Sequence, residues 1–192
     1  MAPDLLGRLL VRRVDGGETL VARIVETEAY QQDDPASHSF RGSTARNEVM
    51  FGPAGFLYVY FTYGMHFCMN VVTGRNGEGS AVLFRAAEPL DGLETMAARR
   101  GTEEPRLLCS GPARLTEALG VSRDMNGEDL VAGGNLWIAP GRRVPPGRVT
   151  VGPRVGISVG VDAPWRFSET ESPWVSRGRA GRPRRRRAAG DP

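Results

Sequence analysis

The chain has 192 residues, a formal net charge of +3, 40% hydrophobic and 24% charged residues, which excludes a wholly disordered, collagenous or disulfide-scaffold protein and suits one globular unit with its own core. All 25 basic residues are arginine, so no side-chain amine exists to form a Schiff base. Arg177, Arg179, Arg182, Arg184, Arg185, Arg186 and Arg187 crowd one terminal stretch; without residues 177–192 there are 18 arginines against 21 acids, a net charge of −3, so the basicity reports that stretch and not the body.

In chain order, Met1 to Leu10 lacks a basic region followed by a long apolar run, and no signal peptide is expected. Leu9 to Val14, Asp15-Gly16-Gly17 and Thr19 to Ala29 read as a hairpin. In Val25-Glu26-Thr27-Glu28-Ala29-Tyr30, period-2 geometry puts Glu26, Glu28 and Tyr30 on one face. That face is either a half-exposed strand with two solvated carboxylates or the wall of a cleft. His38 sits in the loop Pro35-Ala36-Ser37-His38-Ser39, where one ring nitrogen could bond a ligand, although a loop histidine is more often merely exposed. The segment from Gly52 to Gly74 has 23 residues with no Asp, Glu or Arg, but Pro53, Gly55, Thr62, Tyr63, Gly64, His66 and Asn70 interrupt it. It reads as two strands and a turn and not as a membrane span.

The chain has four tyrosines, Tyr30, Tyr58, Tyr60 and Tyr63. Tyr58 and Tyr60 share a strand face, whereas Tyr63, beside Gly64 and near Met65, should project from a turn. The plain alternative is a cross-strand aromatic cluster that stabilises the sheet. Strands are expected at Phe56 to Phe61, His66 to Val72, Ala81 to Ala87, Leu136 to Ala139 and Val149 to Ser158. Asn70 and Arg85 interrupt apolar strands, and a buried polar group needs partners, so each is a structural node or a site residue. Asp91 with Glu94 gives a capping-box helix start, Leu93, Met96 and Ala97 supply its face, and Gly101 ends it. Ser110 to Leu119, closed by Gly120, reads as a second helix. Strands outnumber helices without alternating with them, which favours an α+β fold: a single domain, residues 1–176, around a curved antiparallel or mixed sheet flanked by a few helices. Residues 177–192 should be disordered when unbound. Cys68 and Cys109 form no disulfide framework and no CxxC pair, His38 and His66 belong to no metal-binding pair, and no metal is expected. A reduced intracellular compartment follows as the default.

Six segments occur in order: RIVETEAY (23–30), ASHSFRG (36–42), RNEVMFGPAGFLYVYFTYGMHFCMNVV (46–72), AVLFRAAEPLDGLETM (81–96), LCSGPARLTEALG (108–120) and SPWVS (172–176). Together they resemble the alkyladenine DNA glycosylase family, also called the 3-methyladenine or methylpurine DNA glycosylases. His66 stands where some members carry another aromatic. The resemblance implies a monofunctional, monomeric base-excision enzyme that needs no cofactor or metal and has no membrane partner. It would flip a damaged purine nucleotide (3-methyladenine or 7-methylguanine, with hypoxanthine or ethenoadenine as further candidates) out of double-stranded DNA and hydrolyse its N-glycosidic bond. By the same resemblance, Glu28 matches the catalytic carboxylate and Arg85 an arginine that helps hold the attacking water. Tyr30, His38 and Tyr60 match the residues that sandwich the flipped base. Asn70 matches the asparagine that discriminates against the 2-amino group of guanine, and Tyr63 the tyrosine inserted into the duplex.

The residue chemistry agrees with this. A cationic alkylated purine stacks well on electron-rich tyrosine faces and leaves as a neutral base, so one carboxylate suffices, its proton transfer worth roughly 10²–10⁴-fold. Flipping costs a few kcal/mol, against which stacking returns about 1–3 kcal/mol per base. The missing lysines also fit, because strand-cleaving glycosylases need an amine. With an acidic body, phosphate contacts must concentrate arginine locally: Arg41, Arg46 and Arg75 are candidates, with Tyr58 and Met65 as further DNA contacts, and the terminal arginines would add salt-sensitive affinity. Two other readings stay open. One is a noncatalytic single-strand binding module that uses the same aromatics. The other is an inverting glycosidase with Glu26 and Glu28 as its carboxylate pair, whose i, i+2 spacing can reach about 7 Å.

Overall fold

The alternating apolar runs build one eight-stranded sheet, seen here in a computed structural model that describes residues 1–62 and 66–178. Its strands are β1 (Leu9–Arg13), β2 (Thr19–Tyr30), β3 (Leu57–Thr62), β4 (His66–Val72), β5 (Ala81–Asp91), β6 (Leu136–Ala139), β7 (Val149–Gly152) and β8 (Arg166–Glu169). The order is β3-β4-β5-β2-β1-β6, with β8 pairing β2 and β7, and each described pairing is antiparallel. The β1–β2 turn uses Gly16 at φ 87° and Gly17 at φ 86°, a pair of left-handed residues that glycine adopts without strain.

Strand β2 organises the sheet. One edge follows β5 from Val21 to Tyr30; the other pairs with β1 through residues 19–23 and then with β8 through residues 26–28. Register shifts at Val21/Ala22, Ile24/Glu26 and Glu26/Thr27 bend the strand where it changes partner, and such irregularities increase local twist. The result is a curled sheet with short helices on one side, an α+β single domain. The helices are α1 (Leu93–Arg100), α2 (Pro105–Leu108) and α3 (Pro112–Ala118), with α3 across β4 and β5. Strand alternation divides the two faces. Leu57, Val59, Met69, Val71, Val82 and Phe84 enter the main core with Met96, Leu108 and Leu115 of the helices. Tyr58, Tyr60, Cys68, Asn70, Leu83 and Arg85, the intervening residues, line a cavity on the opposite face.

Several expectations need correction. The predicted strand from Val149 to Ser158 ends at Gly152: Pro153 cannot donate to a ladder, and Arg154 turns into a buried ion pair with Asp34. Strand β5 continues past Ala87 to Asp91. The capping box at Asp91 does not form. Asp91 stays in β5, its Oδ1 accepts the Gly92 N–H at 2.9 Å, and Gly92, at φ 72°, is the N-cap of α1. The second helix is shorter than Ser110 to Leu119, because Pro112 fits the first turn and Leu119 is already the C-cap. The four-residue elements α2 and β8 were not expected, being too short to show a period. Tyr63, Gly64 and Met65, expected at a turn, and residues 179–192 of the arginine-rich stretch lie outside the described residues.

Candidate active site

The cavity has a volume of about 560 Å³, within the range of small-molecule sites. Its wall is the polar face of the sheet: Tyr30 from β2, Tyr58 and Tyr60 from β3, Cys68 and Asn70 from β4, and Leu83 and Arg85 from β5. Ala36 and His38 of the loop after β2 close one side, and residues 155–159 close another. The His38 ring stands edge-on to Tyr60, with centroids 4.5 Å apart and an interplanar angle of 84°, while Tyr58 and Tyr60 are 5.7 Å apart. His38 is exposed at the mouth, with Nδ1 3.0 Å from the Tyr58 hydroxyl. Partial desolvation among the cavity groups, and then the charge of Arg46, lower its pKa and favour the neutral imidazole. Burial raises the pKa of Tyr60, so that phenol stays protonated.

Glu28 lies directly behind this wall. It is 0% exposed, and three residues that line the cavity hold its carboxylate. Oε1 accepts the Val155 N–H at 2.7 Å; Oε2 accepts the Tyr30 hydroxyl at 2.9 Å and Arg85 Nη1 at 3.4 Å. Burial raises the Glu28 pKa and outweighs the opposing pull of Arg85 and of the two shorter hydrogen bonds. Burial and the neighbouring Glu28 charge raise the Tyr30 phenol strongly, so it remains a donor.

Glu26 occupies the same strand face but does other work. It is 0% exposed and does not line the cavity. Its carboxylate accepts Arg166 Nε at 2.6 Å, Arg85 Nε at 3.2 Å, the Ser176 N–H at 2.7 Å and the Ser176 hydroxyl at 3.1 Å. An inverting glycosidase needs both carboxylates around one water. Glu26 is closed off by cations, so the structure argues against that alternative.

Of the other sequence candidates, Asn70 is 4% exposed and lines the cavity, its Nδ2 donating to the Tyr58 carbonyl at 3.1 Å. Arg85 joins Glu26, Glu28 and Ser176 through three different nitrogens. Tyr58 is 1% exposed and belongs to the cavity wall, not to an outer surface a duplex could reach. Arg46 is exposed at the cavity and donates to the Phe61 carbonyl at 3.2 Å. Arg41 and Arg75 are exposed but do not line it; Arg75 borders a separate depression with Met1, Gln31 and Trp165. Tyr63 and Met65 lie outside the described residues. Sequence reasoning missed Asp34, Arg154, Val155, Arg166 and Ser176. The first four carried no spacing signal, because the site gathers them across more than 120 residues of chain; Ser176 lay inside the SPWVS segment. Among the described residues, no group of three or more His, Cys, Asp or Glu converges on a position for a metal ion, and no helix is long and apolar enough to cross a membrane.

This arrangement presents a recessed carboxylate behind an aromatic box, with an arginine and a backbone N–H to orient it. Residues 1–173 match the family model described as methylpurine-DNA glycosylase. The chain is 50% identical over 177 residues to a protein of Carboxydothermus hydrogenoformans named "Putative 3-methyladenine DNA glycosylase", covering 92% of each chain. Proteins of the same name from Methanoculleus marisnigri and Streptomyces avermitilis are each 51% identical, over 179 and 192 residues. These matches cover 92% and 97% of this chain and 92% and 90% of the respective relatives.

Proposed function

Because the chain belongs to the methylpurine-DNA glycosylase family and is a DNA glycosylase of the hydrolase class, we propose that it removes 3-methyladenine, 7-methylguanine and related damaged purines from double-stranded DNA, receiving the flipped nucleotide in the cavity. The observation that carries this reading is the Glu28 carboxylate, held by Tyr30, Arg85 and the Val155 N–H immediately behind a wall of tyrosines. A cationic purine stacks on Tyr30 and Tyr60, with His38 closing the mouth and Asn70 reading the purine edge. Water is the nucleophile. As its oxygen bonds to the anomeric carbon, Glu28 takes its proton, and the electrons of the N-glycosidic bond return to the purine, which leaves neutral without a general acid. Glu28 has no exposed surface here. Substrate binding must therefore loosen its longest contact, to Arg85 at 3.4 Å, so that water reaches Oε2 while Arg85 still orients it.

Tyr63, between β3 and β4 in sequence, is assigned the place of the departed nucleotide, where an apolar insertion offsets the unstacking. Arg46 and the terminal arginines supply phosphate contacts, and the protein works as a monomer in the compartment that holds the cell's DNA. Replacing Glu28 with Gln tests the reading. Binding to a duplex carrying a damaged purine should survive, and release of the free base, followed by chromatography, should fall by about 10²- to 10⁴-fold. Near-normal excision by this variant would reject the assignment.

A further inference from the structure

Among the described residues, the largest fully buried side chain is charged: Arg154, 0% exposed, in the segment that leaves β7. Neither Arg154 nor its partner Asp34 lines the cavity. Arg154 Nη1 and Nη2 grip the two carboxylate oxygens of Asp34, the Nη2–Oδ1 bond being 2.9 Å. The same nitrogens donate to the Ala29 carbonyl at 3.0 Å and the Gly160 carbonyl at 3.2 Å. The guanidinium carbon lies 4.6 Å from the Tyr30 ring centroid and 5.1 Å from that of Trp165. Among the described residues, Nε is buried without a partner.

A buried ion pair is weak evidence for stability, since well-packed apolar residues often replace one without loss. What this pair touches is more informative. Arg154 holds the backbone one residue before the Val155 N–H, which donates to Glu28 Oε1. It backs the ring of Tyr30, whose hydroxyl donates to Glu28 Oε2. Through Asp34, whose Oδ1 also accepts the Ala36 N–H at 3.0 Å, it fixes the turn that leads to His38. One side chain thus sets two of the three contacts of the carboxylate together with an aromatic wall of the cavity.

Resting on the glycosylase reading, we propose that Arg154, clamped by Asp34, is a positioning residue for base excision: it fixes the Val155 N–H and the Tyr30 ring so that Glu28 meets the attacking water in one orientation. A misplacement near 1 Å costs up to roughly 10²-fold in rate, so the clamp acts on the chemical step more than on DNA affinity. The charged or titratable groups around Glu28 are Glu26 and Tyr30 on its own strand, Arg85 on β5, Arg166 opposite it on β8, and Arg154 with Asp34 behind Tyr30. Removing Arg154 takes away a cation and loosens a donor to the carboxylate. Both changes favour protonated Glu28, so the acid limb of the rate profile should move to higher pH.

The test measures single-turnover excision from a duplex with one 7-methylguanine, as a function of pH, with duplex affinity and thermal melting, for wild type, Arg154→Gln and Asp34→Asn. Asp34→Asn keeps the cation and the side-chain volume but leaves the guanidinium buried without its anion, so melting is read for both variants. The expected result is a rate loss of about tenfold to 10²-fold in a folded variant, with affinity changed far less and an acid limb raised by up to about one pH unit. Asp34→Asn, which loosens the grip but keeps the cation, should show a smaller rate loss and a smaller shift of the acid limb than Arg154→Gln. An unchanged rate, or a reduced rate with an unmoved acid limb, overturns the proposal. So does failure of both variants to fold, which would make the clamp a folding element. If wild type releases no base, the parent reading fails and this inference with it; if wild type is active and the variants match it, only this inference fails.

Discussion

In the proposed reaction Glu28 is a base only when ionised, and its surroundings disfavour that state: burial raises its pKa above the ordinary 4.5, with Arg85, Val155 and Tyr30 restoring part of the difference. Single-turnover excision should therefore rise with pH along an acid limb centred above the ordinary glutamate range, and a limb at or below 4.5 would contradict the assignment. The sign for stability is opposite. A group whose folded pKa is raised binds its proton more tightly in the native state, so its contribution is present below the unfolded value and is lost as pH rises through the folded one. Melting temperatures of Glu28→Gln and wild type, compared across that window, should separate in favour of the variant as pH increases. Asn70 and Arg85 could be singled out from sequence as polar residues within apolar strands, Tyr30 by sharing a strand face with Glu26 and Glu28, and Tyr60 as one of a cluster of tyrosines. Glu26 shows the limit of that reasoning: it shares a strand face with Glu28, yet Arg85, Arg166 and Ser176 close over it.

At the scale of elements, the strands were the most legible part. The hairpin turn at Gly16-Gly17 and the bounds of β4 and β6 follow from turn chemistry and alternating apolar residues. The start of α1 did not follow, because Asp91 and Glu94 match a capping box while the β2–β5 pairing holds Asp91 in the sheet, opposite Val21. Gly92 is required there for packing as well as for conformation: a Cβ at this position would stand 2.2 Å from Leu20 Cδ2 and 3.2 Å from Leu20 Cα, at φ 72°. Gly92→Ala should lower stability by about 1–3 kcal/mol, read as a reduced urea midpoint with an unchanged m value. An unchanged midpoint would show that α1 shifts freely on the sheet. Phe84, 0% exposed beneath the helices, should cost about 3–5 kcal/mol on truncation to alanine.

At the scale of the whole molecule, charge is divided between a body of net −3 and seven arginines in residues 177–187. If those arginines meet phosphates, deleting residues 177–192 should leave excision from a short duplex at low salt nearly intact. The slope of log affinity against log salt would flatten by up to about 6, since each phosphate contact contributes about 0.9. An unaltered slope would show that the stretch takes no part in binding. The body must then hold DNA through local features such as Arg46 at the cavity mouth. By itself the chain determined its strands, its α+β class, its family resemblance and the residue types of an aromatic box with a carboxylate, because these are written in local periodicity and in motifs contiguous along the backbone. Tertiary structure alone decided that Glu26 is a buried anchor, that Val155 and Arg85 orient Glu28, and that Arg154 and Asp34 brace the wall behind Tyr30. Those contacts join residues up to 150 positions apart, and no local pattern encodes which distant side chain will supply the partner that a buried charge requires.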